Sequence, residues 1–364
     1  MIYSTIFNLL FIFLYVYCYQ TPTLTFAQHI LSKGVTVYYP LTNAMIITVA
    51  AFLLQMLVSS LAKLRGMAYA LTYVPSMLFV AFITSVKPVG NDNISMEKWV
   101  WGIPAILLIF MFLVRIIRQW QSINVNKDKG NNVFVVNTLI SLVMMFCVCC
   151  AGNSDALFLK RIKAEKLMKD CDYNAIISQD YEGGEIMRKI GMERVGNKKD
   201  IVFEETDTTL SLIRYIALDK RGLLPEKLFT RPFTGSSQSV IFLENVKPYL
   251  FPKEFLSRRK SQDYYLCALL ADADLDAFAK RLVATLHTDS IACDSLPRHY
   301  REAMVAYQHL RSKPVVSYYD AVLETDYNDM RKILAMNISD QEKIFRLRET
   351  YGNTYWYYLY KKKH

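Results

Sequence analysis

Residues 133–151 read VFVVNTLISLVMMFCVCCA, and residues 152–170 continue GNSDALFLKRIKAEKLMKD. The first stretch carries no Asp, Glu, Lys, Arg or His; the second carries eight charged residues. A helix that crosses a bilayer needs about 20 mostly apolar residues at about 1.5 Å each. The chain therefore leaves the membrane near Gly152 and continues as water-exposed protein to its end. Working backward from that point, four more apolar runs come into view, at residues 2–19, 42–62, 67–86 and 99–118. The fourth reaches spanning length by including Arg115 and Arg118, whose long side chains can reach the interface. Pro75 and Pro104 lie inside spans, where membrane helices tolerate and are kinked by proline. The expected architecture is all-α: a transmembrane helical bundle of about five spans over residues 1–151, then a soluble helical domain over 152–364.

Charge follows the same division. Residues 1–151 hold nine Lys or Arg and three Asp or Glu, and residues 152–364 hold 34 and 30. Six of the nine basic residues sit in two short turns: Lys63 and Arg65, then Arg115, Arg118, Lys127 and Lys129. This is the pattern of cytoplasmic loops and gives no reason to expect nucleic acid as a partner. With an odd number of spans, the N-terminus is expected inside and the soluble domain outside. Lys160, Arg161, Lys163, Lys166 and Lys169 argue the other way, but long domains translocate despite such charge. The first span reads as an uncleaved anchor, because no basic residue precedes it and its apolar run is long for a signal peptide.

No ionisable residue lies in the middle of a span, which weighs against a pump or an ion-coupled transporter. Gln55 and Asn137 are expected to make interhelical hydrogen bonds. The seven cysteines give no disulfide framework and no zinc spacing. Cys147, Cys149 and Cys150 read as small apolar helix residues.

In the soluble half, apolar residues recur at helical spacing over 156–168, 208–218, 263–271, 275–286, 298–310, 315–324, 326–336 and 339–351. Pro297 opens one helix, and Ser339 with Glu342 forms a capping-box pattern. Ala217, Ala268, Ala271, Ala303 and Ala306 suit close helix packing. Residues 239–243 are the one run that reads as a strand. Paired helices of this length favour a tetratricopeptide-like stack, although no 34-residue period is visible.

The chain has no dinucleotide fingerprint, P-loop, zinc-protease or nucleophile-elbow motif. Glu182, Gly183, Gly184 and Glu185 read as a turn. Asp272, Asp274 and Asp276 read as helix-start residues rather than a cation site. Arg298 and Glu302 are i,i+4 neighbours and form a pair; His299 reads as a packed histidine. The tail, Tyr355, Trp356, Tyr357, Tyr358, Leu359 and Tyr360 followed by three lysines, reads as a helix that caps the stack rather than one that lies on a membrane.

Two groups of residues resemble a known family. Gln28 and His29, with Ser32, Lys33, Gly34, Val35, Thr36 and Tyr38, form the first. Leu296 to Tyr300 and Tyr351 to Trp356 form the second. Together they resemble uncharacterised multi-pass membrane proteins of Bacteroides-type bacteria with a helical, tetratricopeptide-like C-terminal domain. The resemblance implies a bacterial cytoplasmic membrane and a periplasmic domain, and brings no activity with it. The glycine pair usual before Val35 stands here as Lys33 and Gly34.

The functional expectation is a membrane-anchored interaction module that contacts the lipid bilayer and a periplasmic protein, with no cofactor. The alternative is an enzyme or a lipid- or glycan-handling protein, with a site between residues 20–41 and the soluble domain and with His29 or His299 taking part. Candidate contact residues are Gln28, His29, Ser32, Thr36, Tyr38, Arg298, His299 and Tyr300. A pocket joining His29 to acidic residues would favour the enzyme; a groove lined by Tyr and Arg would favour the binder.

Overall fold

Long apolar helices alternate with short irregular segments through the first half of the chain. The computed structural model describes residues 2–90, 93–123, 130–178, 208–230, 237, 248–252, 254–257, 260–286 and 296–363. The chain divides into two compact units, Met1–Lys163 and Ala164–His364.

Among the described residues, five helices of the first unit are long and apolar enough to cross a bilayer: Ile2–Tyr19, Pro40–Ala62, Gly66–Thr84, Lys98–Gln121 and Asn132–Ala151. Their length and composition mark a membrane protein. In detail, α1 (Ile2–Leu14) widens into a π turn at Tyr15–Tyr19. A short helix, α2 (Thr21–Leu31), then occupies what the sequence presents as a connecting loop. It is followed by α3 (Pro40–Ala62), α4 (Val74–Thr84), α5 (Ile103–Ile123), α6 (Gly130–Ala151) and α7 (Ala156–Lys169).

Pro75 and Pro104 do not kink continuous α-helices. Each is the second residue of one, α4 and α5, and each helix is entered from a 3₁₀ segment, Gly66–Tyr73 and Lys98–Gly102. Proline fits there because the first-turn N–H groups have no helical partner to lose.

The 3₁₀ segment has a specific cause. In an α-helix the Ala70 N–H would donate to the Gly66 carbonyl. Here the Asn137 side chain stands between them: Ala70 N donates to Oδ1 (2.7 Å) and Nδ2 donates to Gly66 O (2.8 Å). A side chain inserted into the helical ladder opens it, and in lipid the opened groups must be satisfied by protein. Gln55 Nε2 donates to Tyr69 Oη and Thr72 Oγ1, both at 3.2 Å. The two polar span residues thus bond between helices, as their sequence context implies.

A hairpin of β1 (Val86–Val89) and β2 (Asn93–Met96), with Val86 opposite Met96, joins α4 to the next span. The sequence reading passed over it, although Gly90 (φ +64°) sits at the turn position between two short alternating runs. Residues 182–185 and 239–243, with Lys127, Lys129 and Cys293, lie outside the described residues. The interior of the unit joins Ile12, Tyr15 and Val16 to Tyr73, Met77, Val80, Met145 and Val148. By contrast, no residue of the fourth span, Lys98–Gln121, is buried. Its end is held by Gln121, whose Nε2 donates to Arg65 O (2.6 Å).

In the second unit, α8 (Thr208–Lys220), α9 (Leu224–Lys227), α10 (Glu254–Ser257), α11 (Gln262–Asp272) and α12 (Leu275–Leu286) precede the C-terminal group. That group is α13 (Arg298–Leu310), α14 (Ala321–Ala335), α15 (Asp340–Tyr351) and α16 (Tyr355–Lys363). Side-chain caps set several starts: Ser261 accepts from Tyr264 N, Asp320 from Val322 N and Leu323 N, and Ser339 from Glu342 N. The sequence expectation of two helices at 315–324 and 326–336 is replaced by the single α14, because the start falls at Asp320, beyond the β-branched pair Val315 and Val316.

Helices adjacent in sequence pack on one another, and α13 touches α9, α12, α14 and α16. It can do so because Ala303 and Ala306 are buried without bulk. The tail closes the unit: Tyr355, Trp356, Tyr358 and Leu359 are buried. The Tyr358 hydroxyl and the Lys362 ammonium both donate to the Ala271 carbonyl at the end of α11. They satisfy a carbonyl that the helix itself leaves open.

Candidate functional site

The first turn of α13 sends its polar side chains in different directions. His299 points inward and is fully buried. Its Nδ1 donates to Glu302 Oε2 (2.9 Å), and its ring meets Phe229 edge-on at 5.3 Å. The same carboxylate accepts from Tyr355 N (2.7 Å) and, through Oε1, from Arg298 Nε (2.8 Å). Glu302 is therefore the tie between α13 and α16. Tyr300 is buried on another side, donating to Asp263 Oδ1 (3.0 Å) and lying 3.7 Å from Cys267 Sγ. Burial pushes both its hydroxyl and the Cys267 thiol far above their usual pKa values. Of the three candidates here, Arg298 lines a cavity.

That cavity is a cleft of about 810 Å³ lined by Arg298, Arg301, Tyr319, Asp320, Tyr351, Asn353 and Trp356, among others. The size is that of a small-ligand or peptide pocket. Arg298 Nη2 donates to Asn353 Oδ1 (3.3 Å), and Arg301 Nη1 lies 3.6 Å from Asp320 Oδ2. Trp356 is buried in the wall, with Nε1 donating to Glu302 O (2.6 Å), while Tyr319 is 69 % exposed. The lining thus combines guanidinium groups, the Asp320 carboxylate and aromatic side chains. Such a lining suits an extended segment that presents both carbonyls and N–H groups.

The three aspartates of the α11–α12 connection each have their own work. Asp272 accepts from Ser237, Asp274 caps α12 through Ala277 N (3.0 Å), and Asp276 pairs with Arg311.

The remaining candidates lie in the first unit and largely bind one another. Gln28 Nε2 donates to Thr36 Oγ1 (3.0 Å), and Ser32 Oγ accepts from Thr36 N (3.3 Å). The His29 ring lies beneath Gly34, where an added Cβ would come within 3.1 Å of Cε1. Tyr38 is buried, which pushes its hydroxyl up to about 12.

Sequence reading missed Arg301, Tyr319, Asp320 and Asn353 as cleft residues. The signal for two of them was the run Tyr318, Tyr319, Asp320, in which a capping residue follows an aromatic pair.

A family of unknown function, DUF6057, matches residues 253–362. No curated protein and no solved structure matches the chain. The matched region is less than half of the chain, and it contains every residue that lines the cleft. An uncharacterised domain is thereby placed at the C-terminal end.

Proposed function

We propose that the protein is a membrane-anchored binding module whose C-terminal helices hold an extended segment of a partner protein in the cleft between α13, α14 and the α15–α16 turn. The observation that carries this reading is the lining itself: two arginines, two tyrosines and a tryptophan around about 810 Å³. His299, the histidine nearest this cleft in sequence, is wholly buried and bonded to Glu302, which disfavours a general base there. The basic turns at Lys63, Arg65, Arg115 and Arg118 support an N-terminus in the cytoplasm. Five spans then carry the C-terminal unit to the far side, the periplasm if the membrane is a bacterial inner one. The partner is accordingly a periplasmic protein, and the helix pairs act as a tetratricopeptide-like scaffold for it.

The test places a photo-crosslinking amino acid at Tyr319 in the full chain and irradiates intact cells. A single protein adduct, lost in Arg301→Glu and retained in a surface control such as Lys343→Glu, is the expected result. Adducts that persist in Arg301→Glu, or adducts to lipid alone, would overturn the assignment of the cleft.

A further inference from the structure

Between the first two spans, the polar side chains around residues 31–41 bond one another. Gln28 bonds Thr36, Ser32 bonds the Thr36 backbone, and Asn43 Nδ2 reaches Gln28 Oε1 (3.4 Å). The backbone closes on itself as well: Ser32 N donates to Gln28 O (2.9 Å), Gly34 N to His29 O (2.8 Å) and Val35 N to Ser32 O (3.1 Å). Left facing outward are Leu31, Val35, Val37, Tyr39 and Leu41, each more than half exposed, with Val35 at 84 %.

Five apolar side chains standing out of an eleven-residue stretch are unfavourable in water and call for a cover. What lies on either side identifies it. Tyr39 directly precedes Pro40, the first residue of the second span, and the first span ends at Tyr19. The stretch is therefore tethered at the level where spans leave the bilayer, which is where tyrosines and amphipathic segments settle. The turn at residues 32–35 bonds its own backbone N–H groups, and at the interface headgroups and water remain within reach of the rest. Lys33 is exposed and has a long stem, so its ammonium can reach lipid phosphates from the same position.

We infer that residues 31–41 form a lipid-binding interfacial element: Leu31, Val35, Val37 and Tyr39 insert among the upper acyl chains of the leaflet, and Lys33 lies at its phosphates. The surface is thus occupied by membrane and is closed to a soluble ligand. The element extends the protein's footprint in one leaflet without adding a span.

The test uses the full chain reconstituted in vesicles of phosphatidylethanolamine and phosphatidylglycerol. An environment-sensitive fluorescent amino acid is placed at Val35, or at Asn93 in the hairpin as a comparison. At position 35, lipids brominated near the top of the acyl chain should quench severalfold more strongly than aqueous iodide. At Asn93 the order should reverse. Iodide as the stronger quencher at 35 would show that the patch faces water. Weak quenching by both agents would show that protein covers it, from a second copy or another chain. Either result overturns the inference.

Discussion

Gly152 is a single residue on which three spans depend. A Cβ there would overlap the Tyr15 hydroxyl and lie 2.9 Å from Thr84 Oγ1, at a point where Gln20 Nε2 also donates to Tyr15 Oη (3.0 Å). Gly152→Ala should destabilise the first unit by about 1–3 kcal/mol, as overpacking of a filled site does. A lower melting temperature of the purified full chain would show it. Lys33 presents the opposite case. It adopts a left-handed conformation (φ +50°) next to Gly34 (φ +78°), so the glycine pair of the resembling family has a physical reason. Lys33→Gly should relieve about 1 kcal/mol of strain, to be read as a higher melting temperature. In the second unit, the buried Glu302 accepts three donors while Arg298 is partly exposed. Glu302→Ala should therefore cost about 3–5 kcal/mol and Arg298→Ala about 1 kcal/mol or less, measured by denaturant unfolding. Equal losses would mean that the surface arginine, and not the carboxylate, ties α13 to α16. The pairing of Arg298 with Glu302 was legible from their spacing. The bond from Tyr355 was not, because i,i+4 spacing says nothing about which other helix covers a residue.

At the scale of elements, periodicity located the spans and most of the helices but not the internal changes of backbone type. The 3₁₀ half of the third span is written in Asn137, 67 positions from Ala70, and no local pattern near Gly66–Tyr73 announces it. Likewise α2 hides in an expected loop because its eleven residues are too short to stand out beside spans. The start of α14 was legible in principle, since Asp320 is a strong cap, yet the apolar spacing that begins at Val315 concealed it. Asn137 allows the cause of the 3₁₀ segment to be tested. Asn137→Ala removes both backbone bonds and should cost about 1–2 kcal/mol, within the range for polar contacts between membrane helices. With the wedge gone, the Gly66 carbonyl and the Ala70 N–H are free to meet. Hydrogen exchange at Ala70 should then stay slow if the helical bond forms, and accelerate if the segment simply loosens. Accelerated exchange at Ala70 would show that the segment stays open without Asn137 and would refute the view that Asn137 sets the backbone type.

At the scale of the whole molecule, hydropathy and charge change together near Gly152, and that change made five membrane-length helices followed by further helices legible. The cleft was beyond it: Arg298, Asp320 and Asn353 come from three separate helix ends, and only the packing of α13 to α16 brings them to one cavity. Orientation is the remaining global property, and the chain carries its own reporter for it. Cys171 is exposed and follows the last span by some 20 residues, whereas Cys18, Cys147, Cys149 and Cys150 belong to spanning helices and Cys267 is buried. A hydrophilic maleimide that does not cross membranes needs water and an ionised thiol, so span cysteines facing lipid should react poorly. With the C-terminal unit outside, a Cys293→Ser chain should label in intact spheroplasts at the rate seen after permeabilisation, and Cys171→Ser should abolish that labelling. Labelling only after permeabilisation would place the unit in the cytoplasm. The cluster Lys160, Lys163, Lys166 and Lys169 would then outweigh the turns at Lys63 and Arg115. A cleft on the cytoplasmic side would still bind, but its partner would be a cytoplasmic protein, so this labelling decides where the crosslinking search should begin.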